Sequence, residues 1–525
     1  MKLDRLQIES FKNLRNFEIT FDKRAKDDKS LVTVIVGQNG TGKSNLLEAL
    51  IIIFRDLDLG VAPAFRYQLD YTCQGASVHV DADPRREKDS VQVMVNGAPV
   101  PYKKFIQGAP RYLPTYVFGY YSGPSNRMES HFEQHHTQFY KALIHGDDRP
   151  LRPLFYARLV HSQFVLLAFF TEQDAEALKF LSTELRIEGL DSVLFVMKQP
   201  DWSKSRRAQA GDPRFWGAKG VVRGFLDKLY ALALAPLRLP RRLPTPFGTS
   251  GKQVEHLYLY LRDLKALQDL ASSYPSQQEF FKALESTYIS DLISEVRIRV
   301  KARNVDGTLT FRELSEGEQQ LLMVLGLLRF TREDESLFLL DEPDTHLNPT
   351  WSMRYIEQLN KVVGKQETSH IIMTTHDPLV IAGLQREEVR IMHREPDTGR
   401  VAAERPEQAP QGMGVEAILT SELFGLRSTL DLPTLRLLDE KRKLAVKDTL
   451  SEPERERLAE LNEKLKDLDF TQTVPDPLYR PFVRAMTKIQ EKGGLLQPVL
   501  TLEEIKKKEA LADKIVEELA FEPKS

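Results

Sequence analysis

The stretch Gly37 to Ser44 reads GQNGTGKS and matches G-x-x-x-x-G-K-S/T at every fixed position. Glycines there (Gly37, Gly40, Gly42) let backbone N–H groups turn inward around phosphate oxygens, and a helix starting at that point adds partial positive charge. Lys43 would reach the β- and γ-phosphates of a nucleoside triphosphate, and the Ser44 hydroxyl would hold Mg²⁺. Three later stretches supply what hydrolysis of such a molecule needs. Leu314 to Gln320 reads LSEGEQQ, where Ser315 and Gly317 open a helix and can present a hydroxyl and N–H groups to a phosphate. Leu337 to Glu342 reads LFLLDE; Asp341 can anchor Mg²⁺ through water, and Glu342 beside it can polarise an attacking water. Thr374 to Asp377 reads TTHD, with His376 at a strand end, where it can sense the γ-phosphate. Each has an ordinary reading alone: a serine-capped helix start, a turn after a strand, a structural histidine. Their joint occurrence, in this order, favours one triphosphate site.

The elements that must carry these residues are legible around them. Leu31 to Val36 is an apolar run that reads as a buried strand, and Asn45 to Phe54 as a helix. Ser336–Leu340, His370–Thr374 and Val389–His393 are short apolar runs typical of central strands covered on both faces. Strands alternating with helices indicate an α/β sheet. Residues 1–21 read as two short strands joined around Phe11–Leu14, followed by a charged loop, Asp22–Lys29. Phe65–Val80 and Val91–Val100 read as antiparallel strands, with a hairpin turn at Asn96-Gly97, and Tyr112–Tyr121 as a further strand. Val296–Val300 and Leu309–Phe311 are strands, with a helix from about 316. From 135 to 290 apolar residues recur at helical spacing (Leu178, Leu181, Leu185; Leu257, Leu261, Leu264, Leu267), broken by basic loops at Lys204–Arg207 and Leu237–Pro246. The expected organisation is an N-terminal lobe over 1–134, a mostly helical insertion over 135–290, a second lobe over 291–410 and a helical C-terminal region over 411–525. In the last, Ser451 to Glu454 forms a capping box. Leu458, Leu461, Leu465 and Leu468 line one stripe, which a local helical hairpin explains better than a partner helix because no heptad is sustained.

A chain of 525 residues is expected to fold as more than one unit. With 41% apolar residues, 28% charged and a net charge of −2, bulk charge announces no nucleic-acid binder, so such binding needs a local patch. No apolar run reaches the ~20 residues of a membrane span, and the opening MKLDRLQIES lacks a signal core. The single Cys73 rules out an internal disulfide and fits a reducing cytoplasm.

Together the four motifs resemble the ABC-type ATPases, and among them the SMC/RecF/OLD-like branch, over roughly residues 1–130 and 295–400. MKLDRLQIESFKNLRNFEI looks like that branch's first strands. GQNGTGKSN is similar to its phosphate loop, with Asn39, Thr41 and Asn45 at the nucleotide, and DEPDTHLNP to its D-loop, with Asp344 and His346. The resemblance implies ATP and Mg²⁺ as cofactors and two heads that dimerise face to face. Ser315, Gly317 and Glu318 of one head would then complete the site built by Lys43, Ser44, Asp341, Glu342 and His376 of the other. The sequence departs from the family in two places. About 270 residues separate Ser44 from Leu314, consistent with an inserted domain, and no Q-loop glutamine follows the Tyr112–Tyr121 strand, leaving Ser122 as a substitute. Lys12 or Asn13 are candidates for adenine contact.

Glu129, His131, His135 and His136 are rich in ligand atoms but lack H-E-x-x-H spacing, and a polar helix start is the better reading. No nuclease pattern is present: Asp467-Leu468-Asp469 ends a charged helix rather than an apolar strand. The basic loops at 204–207 and 238–242 are candidates for contact with DNA or RNA, against ordinary solvated loops. The resulting expectation is a cytoplasmic ATPase working as a homodimer or higher oligomer. It would control a nucleic acid or an effector nuclease of HNH type, similar to ATPase subunits of Septu-type or retron-associated anti-phage systems. A RecF-like repair ATPase, a nucleotide-gated scaffold with little turnover and a transporter head are the alternatives.

Overall fold

The computed structural model describes residues 1–21, 32–108, 111–147, 153–171, 175–205, 210–242, 253–303, 309–330, 335–363, 369–395, 397–447, 449–467 and 501–521. The expected loop at Asp22–Lys29, the side chains of Arg206 and Arg207, and Leu468 lie outside these residues. The chain forms two compact units, Met1–Val34 with Ser44–Val380, and Ile35–Lys43 with Ile381–Ser525.

The first unit contains a six-stranded antiparallel sheet. In spatial order its strands are Leu14–Thr20, Lys2–Phe11, Tyr67–Cys73, Ala76–Ala82, Val91–Val95 and Ala98–Val100. The turn at Asn96-Gly97 has positive φ at both residues, as a two-residue hairpin turn requires. The parallel strands that carry the carboxylates are Ser369–Thr374, Ser336–Asp341, Tyr116–Tyr121 and Leu154–Tyr156. Ser336–Asp341 and Ser369–Thr374 are buried along their whole length, which explains their unbroken apolar runs. Register places Asp341 beside Thr374 on one side and Tyr121 on the other.

Residues 135–290 depart from the sequence expectation. Helices are present (Val160–Thr171, Gly220–Leu232, Gln277–Ile289 and others), but so is most of a five-stranded antiparallel sheet. Its spatial order is Leu237–Arg242, Gln253–Leu261, Ile187–Lys198, Ile293–Ala302, Leu309–Thr310. Leu257 and Leu261 lie on the strand Gln253–Leu261, while Leu264 and Leu267 belong to the next helix, Leu264–Ala271. A four-residue interval fits both a helical face and twice the strand period, and Leu259 between them shows which applies. Leu237–Arg242, read as loop, is an edge strand, where Pro240 is tolerated. The apolar helix Val160–Thr171 is buried on nearly all sides and packs on Glu316–Phe330. Among the described residues no helix is long and apolar enough to cross a membrane.

The second unit holds the antiparallel pair Val389–Arg394 and Val401–Glu404 and the helices Val415–Thr420, Leu432–Ala445, Glu452–Asp467 and Leu502–Phe521. Leu432–Ala445 and Glu452–Asp467 form a hairpin closed by a two-pronged Arg457–Glu440 pair, with Leu461 and Leu465 fully buried. The Glu454 carboxylate accepts from both the N–H and the hydroxyl of Ser451, one half of the capping box.

Candidate functional site

The phosphate-loop segment of the second unit is folded tightly on itself. Lys43 is buried, and its ammonium donates to the carbonyls of Gly37 (2.7 Å) and Gln38 (3.2 Å). Thr41 donates through its hydroxyl to Gln38 O at 2.8 Å, and Asn39 and Gly40 remain exposed. Gly37 has φ +148, and a Cβ there would lie 2.1 Å from the carbonyl oxygen of Met392, so only glycine fits. Arg394 adds a tie absent from the sequence reading: its guanidinium donates to Gly40 O at 2.8 Å.

In the first unit, the helix Lys43–Leu59 begins beside a polar network. Asn45 donates to Asn13 (2.6 Å) and accepts from Arg127 (2.6 Å). Buried Glu48 accepts from Lys12 (2.5 Å), Arg127 (2.9 Å) and His131 (2.8 Å). Burial pushes Glu48 upward, but His131, Lys12 and Arg127 outweigh it and hold the carboxyl down at about 2. Lys12 and Asn13, the adenine candidates, are therefore committed to this helix. Of the histidine-rich stretch, His131 is held by Glu48, His135 by Asp58 and Glu129 by Arg158.

The carboxylates meet at the ends of two neighbouring strands. Thr374 Oγ donates to Asp341 Oδ1 at 2.5 Å and accepts from the Glu342 N–H at 3.1 Å. Glu342 adopts a left-handed φ of +52, a conformation costing a non-glycine residue about 1–2 kcal/mol. Its N–H also reaches Thr374 O at 3.2 Å, so Thr374 holds this strained residue at two points. The Glu342 and His376 side chains lie 3.4 Å apart, both partly open to solvent. The next threonine repeats the device: Thr375 Oγ donates to the buried Asp344 and accepts from the Asp377 N–H. Burial, opposed by Thr375, raises Asp344 to about 7. The sequence reading gave these two threonines no role; the signal was present as hydroxyl side chains ending an apolar strand just before a histidine.

Burial also raises Asp341, against hydrogen bonds from Thr374 and Ser44. Asp341 Oδ2 is buried without a hydrogen-bond partner. A partnerless buried carboxylate oxygen next to a serine hydroxyl suits a hard divalent cation such as Mg²⁺. Ser122, the Q-loop substitute, donates its N–H to Asp341 O (3.2 Å) and accepts from Thr345 (3.2 Å), so it braces the carboxylate strand. A glutamine does enter this neighbourhood from elsewhere in the chain: Gln320 donates to the Tyr120 hydroxyl at 3.0 Å.

The Ser315–Glu318 segment forms a reciprocal cap. Ser315 accepts from the Glu318 N–H, while Glu318 accepts from the Ser315 N–H and hydroxyl. Ser315 is exposed at this tip, Glu318 partly so, and Gly317 is buried. A Cβ at Gly317 would lie 2.4 Å from His346 O, so the glycine lets the segment after Asp344 pass against the helix start.

Two family models match parts of the chain. Residues 1–94, which include the phosphate loop, match the family described as "AAA ATPase domain". Residues 200–382, which include Ser315, Asp341, Glu342 and His376, match "AAA domain, putative AbiEii toxin, Type IV TA system". "Septu protein PtuA" of Bacillus mycoides (strain KBAB4) is 29% identical over 196 residues, 35% of this chain and 27% of that protein. "Probable peptide export ATP-binding protein YydI" of Bacillus subtilis (strain 168) is 26% identical over 112 residues, 21% of this chain and 52% of that protein. The chain thus spans about a quarter to a half of the length of these relatives. Among solved structures, the SMC head bound to the C-winged helix domain of ScpA aligns with a TM-score of 0.33 at 13% identity, covering 78% of this chain and 98% of that one. The SMC head domain from Thermotoga maritima gives 0.31 at 16%, covering 78% and 100%. Two stretches of the chain thus match ATPase family models, and about a third of it is similar in sequence to a Septu protein.

Proposed function

We propose that this chain hydrolyses ATP with Mg²⁺ between two face-to-face copies of itself, and that this cycle regulates an effector nuclease or nucleic-acid partner in anti-phage defence. The observation that carries the reading is the carboxylate pair: Asp341 with one buried oxygen unpartnered, and Glu342 held beside it in a strained backbone by Thr374. Bound Mg²⁺ would neutralise charge on the β- and γ-phosphates. Ser44 and Asp341 would hold the cation, and the loop Gly37–Lys43 with Asn45 would take the phosphates. Glu342 accepts the proton of the attacking water, and His376, 3.4 Å from it, orients that carboxylate toward the γ-phosphate. Ser315, exposed at its helix start, acts with Gly317, Glu318 and Asp344 at the partner's nucleotide. The similarity to PtuA over part of the chain supports the defence role.

The test is phosphate release and sedimentation of the purified chain with ATP and Mg²⁺. Lys43→Ala should lose nucleotide binding. Glu342→Gln should stop turnover yet accumulate an ATP-bound dimer, because the contacts bridging the two faces remain. Multiple-turnover hydrolysis at the wild-type rate by Glu342→Gln, or full activity by a strict monomer, overturns the proposal.

A further inference from the structure

The five-stranded sheet of residues 187–310 has two unlike faces. On one, Phe195 pairs with Leu259 and packs edge-on against Phe225 of the helix Gly220–Leu232, so helices cover it. On the other, strand alternation puts Tyr258 and Tyr260 on the same side, their Cα atoms ~7 Å apart. Register extends that side across the sheet: Tyr260 faces Leu194, which faces Arg297, and Ser192 faces Arg299. Leu237 faces Tyr258, and Arg241 lies on the same side two periods further along the edge strand. Tyr260, Arg241, Arg297, Arg299 and Lys301 are exposed, and Tyr258 is partly so. Glu295 is the acidic group of this face, and it is engaged by Arg297 (2.9 Å) and Arg312 (2.8 Å). A basic, aromatic-bearing sheet surface results in a chain whose net charge is −2.

We infer that this face binds a single strand of nucleic acid, with bases stacking on Tyr258 and Tyr260 and phosphates held by Arg241, Arg297, Arg299 and Lys301. Aromatic rings ringed by arginines on a sheet provide both terms such binding needs, a π-face for each base and cations for the backbone. A duplex would use the cations and leave the tyrosines without a role, because its bases are already stacked. The surface shares only Arg241 with the basic stretches singled out in the sequence. Arg238 turns to the other side, stacking on Trp216 and pairing with Glu255 at 2.9 Å, whereas Arg241 belongs to the open face. The inference takes only its class of partner from the proposal above, and its test is separate from ATP hydrolysis.

The experiment is fluorescence anisotropy of the full chain with labelled oligo(dT), oligo(U) and a DNA duplex, each about 20 units long, across a salt titration. Tyr258→Ala with Tyr260→Ala should weaken single-strand binding by roughly 5- to 150-fold per lost base stack, and the paired Tyr→Phe variant should restore it. Arg297→Glu with Arg299→Glu should flatten the logarithmic salt slope by at least ~1.4. Relative affinity for oligo(dT) and oligo(U) tells DNA from RNA. Wild-type affinity in the alanine pair, an unchanged slope in the glutamate pair, or duplex binding as tight as single-strand binding overturns the inference. ATP turnover without nucleic acid should be unchanged in every variant, so failure here leaves the hydrolysis reading standing, and inactive Lys43→Ala leaves this one standing.

Discussion

Thr374→Val isolates the part of the site that the motifs do not name. Valine keeps the volume and strand preference of threonine but removes a hydroxyl that donates to Asp341 at 2.5 Å and accepts from the Glu342 N–H at 3.1 Å. Thr374 is fully buried, so no water is at hand to replace it. A hydrogen bond to a charged group contributes ~1.5–3 kcal/mol, which corresponds to about 10- to 150-fold in an equilibrium constant. Outer partners of metal-binding carboxylates cost a similar 10–100-fold when lost. Turnover at fixed Mg²⁺ should therefore fall about 10–100-fold, with half-saturation moved to higher Mg²⁺. Because burial already raises Asp341 and Thr374 opposes that rise, the variant's acid limb should also move to higher pH. Phosphate release over a Mg²⁺ titration at two pH values reads both effects, with metal-free nucleotide binding as the control. A valine variant with the wild-type Mg²⁺ midpoint and rate would show that Thr374 serves the strand and not the carboxylates.

Asp344→Asn should stabilise the protein in a pH-dependent way. The folded pKa of Asp344, about 7, lies above the ordinary value of 3.8, so wild type loses stability as pH rises through that window, by ~4 kcal/mol at most. Asparagine can still accept from Thr375, so denaturation midpoints of variant and wild type should converge near pH 4 and diverge toward pH 8; a constant difference refutes this. Gly317→Ala should cost about 1–3 kcal/mol of stability through overpacking against His346 O, read by thermal or denaturant unfolding. Ser315→Arg should lower turnover while monomers still bind ATP. Loss of binding in the monomer would mean that the serine does not act on a partner's nucleotide.

The residues proposed to contact phosphate and metal were legible because their chemistry is local. A glycine-rich loop needs its strand and helix immediately adjacent in sequence, and a carboxylate pair needs a strand end; eight or ten letters carry both. The α/β character followed from the same runs, since Ser336–Asp341 and Ser369–Thr374 are buried on both faces and hence carry consecutive apolar residues at their centres. What the tertiary structure alone decided involves partners far apart in the chain. Thr374 reaches Asp341 across neighbouring strands, Glu48 gathers Lys12, Arg127 and His131 from two distant segments, and Gly317 is required by the backbone of His346. The sheet within residues 135–310 was hidden for a related reason. Its leucines at four-residue intervals satisfy two periods at once, and only strand pairing, a non-local interaction, selects the period of two and brings Tyr258, Tyr260 and Arg297 onto one surface.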